Sequence, residues 1–516
     1  MIRKLFTLLL FLVLPGVAHA DWYEASTAHF VVYSDDKPQR VQAFATQLER
    51  FDKALHFLRS LPDIPIGDAN RVTVFVVDDT SDVAKLAHDR FVAGFYAPRA
   101  GASVAFVPRN AGDGGVLDLG PQAILLHEYT HHFLLSLSEK KAYPGWFVEG
   151  YAEFFAASTF DPDGSVSFGR APLYRVPGLF APGNLLPMNK LLNSDAIKLS
   201  DSQREGLYGR GWLLTHYLLL SGKREGQLTA YLKALNEGAS PLDAAKVFGD
   251  LRELDKELDR YMNSRLSGRR IAPSALTIGA VTVRKLRPAE ADTMEVRIRS
   301  KGGVDEKTAP GVYAAARKTC APYPNDPAAQ RVLLEAAFDA GDYPAAEAAA
   351  DRILAADPRS VDALLYKAWI KEAVAEKAGD RTTATWTEIR KLIASANRID
   401  PENPRPLWDY FESYERAGVP PPKLARDGLY YAFLLAPQDP GLRFETARSY
   451  LEDGNATQAR ALLTVLAWDP HGGGIGAVAA HLIAEIDAGH ADTALRDLEK
   501  QTDGKAGDSD KDKKGG

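Results

Sequence analysis

Residues 127–132 read His-Glu-Tyr-Thr-His-His inside an apolar run from Leu119 to Leu137. On a helix, positions four apart lie about one turn from each other on the same face, so His127 and His131 can direct both imidazoles at one ion. Glu128, beside the first histidine, is then placed to act as general base toward a water at that ion. A catalytic zinc site keeps three protein ligands and leaves one position open. Glu149, eighteen residues after His131, is the natural third. His132 falls about 100° round the helix from that face and is expected to pack or meet solvent rather than ligate.

Glu149 sits in the stretch Pro144–Phe155 (PGWFVEGYAEFF). HExxH, a short loop and a second helix carrying E-G-x-A together resemble the gluzincin pattern, shared by thermolysin-like and aminopeptidase-N-like enzymes. The resemblance implies a zinc peptidase with His127, His131 and Glu149 as ligands and Glu128 as base. It also implies that Glu153, four residues past Glu149, hydrogen-bonds a zinc histidine and fixes its tautomer. A tyrosine near the start of the helix at 208–217 (YGRGWLLTHY) would steady the oxyanion, and Tyr208 is the candidate, ahead of Arg210 and His216. Val148 stands where these families usually carry Asn, and the ligand spacing differs slightly. The chain therefore resembles a broader bacterial set with P-x-W-F-x-E-G-x-A-E-[YF]-F more than either named group. The resemblance covers roughly residues 21–270.

Those residues need a frame. The segments His29–Ser34 and Val72–Val77 are rich in β-branched and aromatic residues and read as strands. Between them, Val41, Phe44, Leu48, Phe51, Leu55 and Leu58 recur at helical spacing. Phe91–Tyr96 and Ala102–Val107 read as a hairpin, with Ala102–Phe106 as the edge strand beside the zinc that could pair with extended substrate. Residues 156–200 are rich in Pro, Gly and Asn and read as loops with a small hairpin near 165–174. Helices resume at about 203–222, 225–236, 241–248 and 251–266. Leu276–Val283 and Met294–Ile298 read as strands, and Lys301–Thr308 as a polar linker.

Beyond 308 the composition turns Ala-rich and helical, with Asp-Pro stops at Asp326, Asp357, Asp400, Asp439 and Asp469. The stretches 340–346 (AGDYPAA) and 452–459 (EDGNATQA) match the helix end, turn and helix start of a tetratricopeptide (TPR) repeat. The longest insertion falls at Glu372–Thr383. Such an array stacks into a curved solenoid whose concave face offers a groove for a protein partner.

The expected fold class is α+β: a gluzincin-like zinc peptidase domain, with a mixed sheet lobe and a helical lobe, followed by an all-α TPR-like solenoid. The boundaries are a signal peptide at 1–20, the peptidase domain at 21–270 and a small strand-containing region at 271–308. The repeats follow at 309–501, then a disordered tail at 502–516. Arg3 and Lys4, the apolar Leu5–Leu14 and the Ala18-His-Ala20 site form a cleavable secretory signal, cut after Ala20, which implies a periplasmic or secreted protein. No other segment approaches ~20 apolar residues, so the mature chain should not insert stably in a membrane. Cys320 is the single cysteine, so no internal disulfide forms, and 46% hydrophobic residues must supply the core. The net charge of −6, without a basic stretch interleaved with aromatics, excludes nucleic acid as a partner.

The leading expectation is hydrolysis of a peptide or protein substrate at a Zn2+ site, with the array binding a protein partner. A catalytically silent zinc-binding scaffold acting through its repeats is the alternative, and an amidase acting on cell-wall peptide a third. No GxMxN-type amine-recognition motif is present, which favours endopeptidase action.

Overall fold

The computed structural model describes residues 21–491 and 493, apart from 91, 113, 114, 116, 138 and 181–185. The expected signal at 1–20 and the tail at 502–516 lie outside the described residues.

The frame of the N-terminal part is a mixed sheet. Its strands are β1 (Tyr23–Ser26), β2 (Phe30–Ser34), β3 (Val72–Asp79), β4 (Phe95–Ala97), β5 (Val104–Asn110) and a late strand (Thr282–Lys285), in the order β4-β5-β3-β2-β1-late strand. β2, β3 and β5 run parallel, while both edge pairings are antiparallel. Alternation along β3 shows why these residues form a sheet buried on both sides. Val72, Val74 and Val76 enter one core, whereas Phe75 and Val77 enter the opposite one. The first core is filled by helix α1 (Pro38–Arg59), through Val41, Leu48, Phe51 and Leu55, and by the helices of the candidate site. A second, three-stranded sheet joins Thr159–Phe160, Val166–Phe168 and Arg269–Ile271.

Several expectations change. Val104–Asn110 lies between β3 and β4, so Ala102–Phe106 does not supply an edge strand; β4 is the edge on that side. The small hairpin spans 159–168 and turns at 161–164 rather than at 165–174. Of Leu276–Val283, only its end belongs to a strand, Thr282–Lys285, which pairs with β1. Met294–Ile298 is not a strand at all but the start of a helix, Met294–Gly302. Its alternating pattern arises because the helix is clamped between two apolar bodies. Met294 and Ile298, one turn apart, enter the sheet core, and Val296 enters the first core of the array.

From Ala309 to Asp487 the described residues form ten helices, each packed on the next, a helical-repeat array. Buried alanines such as Ala336, Ala346, Ala350 and Ala363 let neighbouring helices approach closely. The two repeat-like stretches fold alike. Gly341 and Gly454 take φ of 74° and 73°, and the next residue, Asp342 or Asn455, caps the following helix. The Asp-Pro pairs divide into two kinds. Asp326 and Asp439 are N-caps with Pro at the first helical position, so they start helices, whereas Asp357 and Asp400 close them. The insertion near 372–383 is absorbed largely as extra turns of the helix Val361–Ala378.

The array curls back onto the sheet. Tyr366, Trp369, Arg405 and Trp408 on its inner side face Val31, Tyr33, Thr73 and Phe75 across a cavity of about 740 Å³. Toward its end it docks on the turn between β4 and β5 and on the loop that follows the helix Pro121–Ser136. Asp439 accepts from the Ala100 N–H (2.6 Å), and the buried Arg443 donates to the Glu139 carbonyl (2.7 Å). No helix of the described residues is long and apolar enough to cross a membrane.

Candidate metal centre

Helix α2 (Pro121–Ser136) carries the HExxH stretch, and helix α3 (Gly145–Ala156) carries Glu149 and Glu153. Pro121 opens α2 at a position whose N–H would be unpaired in any case, and Pro144 immediately precedes α3. The third helix at the site, α4 (Asp201–Leu220), starts at a capping box made by Ser200 and Gln203. α3 and α4 cross at glycines: a Cβ on Gly150 would sit 2.3 Å from the Gly211 carbonyl carbon. That contact brings Tyr208 over the ligand helices.

His127, His131 and Glu149 offer ligand atoms that all lie within 4.8 Å of one another. The two Nε2 atoms are 3.0 Å apart with rings near perpendicular, and Glu149 Oε2 is 3.3 Å from His127 and 3.8 Å from His131. Glu149 is 1% exposed; no donor is aligned on Oε2, and Oε1 meets only the His471 imidazole, at 2.9 Å, as a close charge contact rather than an aligned hydrogen bond. A buried carboxylate facing two imidazole nitrogens without such bonds is a costly arrangement unless a cation sits among them. The two-histidine, one-carboxylate set suits zinc.

The other predicted residues surround this cluster. His127 Nδ1 lies 3.2 Å from Glu153 Oε1, and Glu153 in turn accepts from Arg175 at 2.6 Å. Glu128 lines a cavity of about 440 Å³ together with His131 and β4 residues Phe95 and Tyr96. Tyr208 lies with its ring 6.2 Å from that of His127 and beneath the Arg175 guanidinium, 4.4 Å away. Three further residues are placed elsewhere. His132 bonds the Tyr96 hydroxyl, Arg210 is tied to Asp255 and Asp259, and His216 lies between Tyr261 and the Gly169 carbonyl.

Charge at the site follows from burial and neighbours. Burial opposes the charged form of His127, but Glu149 and Glu153 outweigh it and lift its pKa to about 10. His131, where burial dominates, falls to about 3. Burial also pushes Glu128 up to about 6. Glu153, despite burial, is held at about 2 by Arg175 and His127. The Tyr208 hydroxyl is driven far above its ordinary value, first by the Glu149 charge and then by burial, so it stays protonated.

Two residues at the site lie outside what the sequence suggests. Arg175 comes from the loop-rich 156–200 stretch, where no periodicity or motif marks it. His471 comes from the array, in the turn between the helices Ala456–Ala467 and Gly473–Asp487. Its Nε2 is 2.9 Å from Glu149 Oε1, and its ring centre is 5.3 Å from that of His131. The only mark in its sequence is the Asp469-Pro470 pair before it, which reads as a helix stop.

No protein-family model matches the chain, and no curated protein matches it. Among solved structures it is similar to a thermophilic TPR protein from Thermus thermophilus. That similarity has 18% identity and a TM-score of 0.32, covering 38% of this chain and 97% of the other.

Proposed function

We propose that this chain is an exported zinc-dependent metallopeptidase with a protein-binding repeat array. The observation that carries the reading is the convergence of His127, His131 and Glu149 on one buried point, with Glu128 beside it at the edge of a cavity. Export rests on the charged-then-apolar pattern of residues 3–14. His127, His131 and Glu149 would hold the zinc, which when bound supplies a Lewis acid for the scissile carbonyl and for a water.

The chain's own residues do the rest. Glu128, with a pKa near 6, takes a proton from the attacking water and passes it to the leaving amine. A base poised near the working pH does this best. Tyr208, kept protonated by the Glu149 charge, donates to the oxygen on which negative charge builds. Glu153 accepts from His127 Nδ1 and so orients the ring with Nε2 toward the ion, which would take the place of the Nε2 proton, while Arg175 keeps Glu153 ionised. Extended substrate adds to β4, the sheet edge that lines the same cavity as Glu128. The inner side of the array, facing the sheet across its cavity, suits an extended segment of a partner more than a folded domain.

The test is a mass-spectrometric cleavage profile of a mixed peptide library with the zinc-loaded chain from Asp21 and its Glu128→Gln variant. Cuts made by the wild type alone are expected. Identical empty profiles from two zinc-loaded proteins would sink the peptidase reading.

A further inference from the structure

The Glu149 carboxylate is shared between two parts of the chain. Its Oε2 faces the histidine pair of α2, while Oε1 faces His471 of the array at 2.9 Å. His471 is not one of the three residues whose ligand atoms mutually approach within 4.8 Å. It meets the carboxylate from the far side. A ligating carboxylate presents one oxygen reliably only if its other oxygen is held, and such holding groups tune a metal site.

The surroundings show that this approach is built. The His471 backbone N–H donates to Asp469 Oδ1 at 2.9 Å, which closes the turn. Pro470 in the same turn packs at α3's first residue, where a Cβ on Gly145 would meet it at 3.6 Å. The Asp195 carboxylate accepts from the Gly145 N–H at 2.9 Å and fixes that end of α3. Trp468, Asp469, Pro470, His471 and Gly472 form one wall of the cavity that Glu128 and His131 line from the other side. The His471 side chain is 58% exposed to this cleft, whereas Glu149 behind it is 2% exposed. The imidazole is therefore not packed there as core; it lies on the cleft wall beside the His131 ring, with Nε2 against one buried oxygen.

We infer that His471 is a positioning residue supplied by the repeat array, holding Glu149 Oε1 so that Oε2 is presented to the metal. The inference rests on the metal-site reading above. It makes the array part of the site rather than an appendage, and it couples the two thermodynamically. Metal binding favours the docked array, and docking favours metal to the same degree. A partner that pulled the 468–472 turn away would loosen the metal.

The experiment is a chelator-competition titration of zinc on the chain from Asp21, in wild type, His471→Ala and His471→Gln. Melting of each zinc-free protein is recorded alongside. Zinc affinity is expected to fall about 10–100-fold in His471→Ala, while Gln, which keeps an N–H donor, restores most of it. Each zinc-free form should still melt cooperatively, which separates a weakened site from an unfolded protein. Hydrogen exchange adds a readout of the coupling. Zinc should slow exchange at Trp468, Asp469, His471 and Gly472 in the wild type but not in His471→Ala. If His471→Ala binds zinc as tightly as the wild type, the positioning role is overturned while the metal site stands. If the wild type itself binds no zinc, both readings fall together.

Discussion

Gly150 follows the candidate ligand Glu149, and its replacement by Ala tests how α3 and α4 hold the site. A Cβ at Gly150 would lie 2.3 Å from the carbonyl carbon and 2.4 Å from the oxygen of Gly211. Ordinary contact begins at 3.4 Å, so the helices would have to separate by roughly 1 Å. Both partners are backbone, so no side chain can turn aside. Overpacking of this kind costs about 1–3 kcal/mol, and the rigidity of both partners puts this case at the upper end, about 3 kcal/mol. For a domain of this size, that corresponds to a fall in Tm of about 6–12 °C. Separation would also carry Glu149 and Tyr208 apart, so zinc affinity should weaken with stability. The assay is thermal unfolding followed by circular dichroism, with chelator competition on the same samples. Gly311→Ala is the control: Gly311 lies within the helix Ala309–Cys320 with open space around its Cβ position, and the change should stabilise by about 0.5–1 kcal/mol. A Gly150→Ala protein that melts with the wild type and binds zinc equally would refute the reasoning.

Other consequences are equally direct. Glu153→Gln removes the charge that His127 and Arg175 share and should weaken zinc about 10–100-fold in the same titration, with Arg175 left buried and short of a partner. Asp439→Ala removes the cap of the helix Pro440–Glu452 and leaves the Ala100 N–H unpaired. Together these should cost about 2–4 kcal/mol in denaturant unfolding and raise protease sensitivity around residue 100. Partial burial of His29 works against its charge, yet Glu49, Asp52 and Asp63 outweigh this and raise its pKa from 6.5 to about 9. Its stabilisation is therefore complete below pH 6.5 and disappears as pH rises through 9. Melting temperature should fall across that window in the wild type and less steeply in His29→Gln; parallel curves would remove His29 from the account.

Wherever chemistry depends on near neighbours in the chain, the residues are legible in the sequence. His127 and His131 are one helical turn apart, so their shared direction follows from the helix alone, and the same holds for Glu149 and Glu153 along α3. The strands at 30–34 and 72–77 are legible from their runs of β-branched and aromatic residues, and the helix at 38–59 from its one dominant period. Met294–Ile298 reads as a strand because a helix pressed between two apolar bodies mimics the alternation of one. The sheet edge falls on the other strand of the hairpin because strand order depends on the parallel pairing of β5 with β3, a contact between distant segments.

The sequence by itself determined which side chains could ligate, that they lie on helices, and that a helical array follows the sheet. Periodicity, caps and short spacings are properties of a few adjacent residues. Only the tertiary structure decided that Gly150 is required by Gly211, that Arg175 leaves a loop to pair with Glu153, and that the array returns to place His471 on Glu149. Those pairings join residues far apart in the chain. They are settled by which apolar faces must be buried against each other, and no local pattern records that choice.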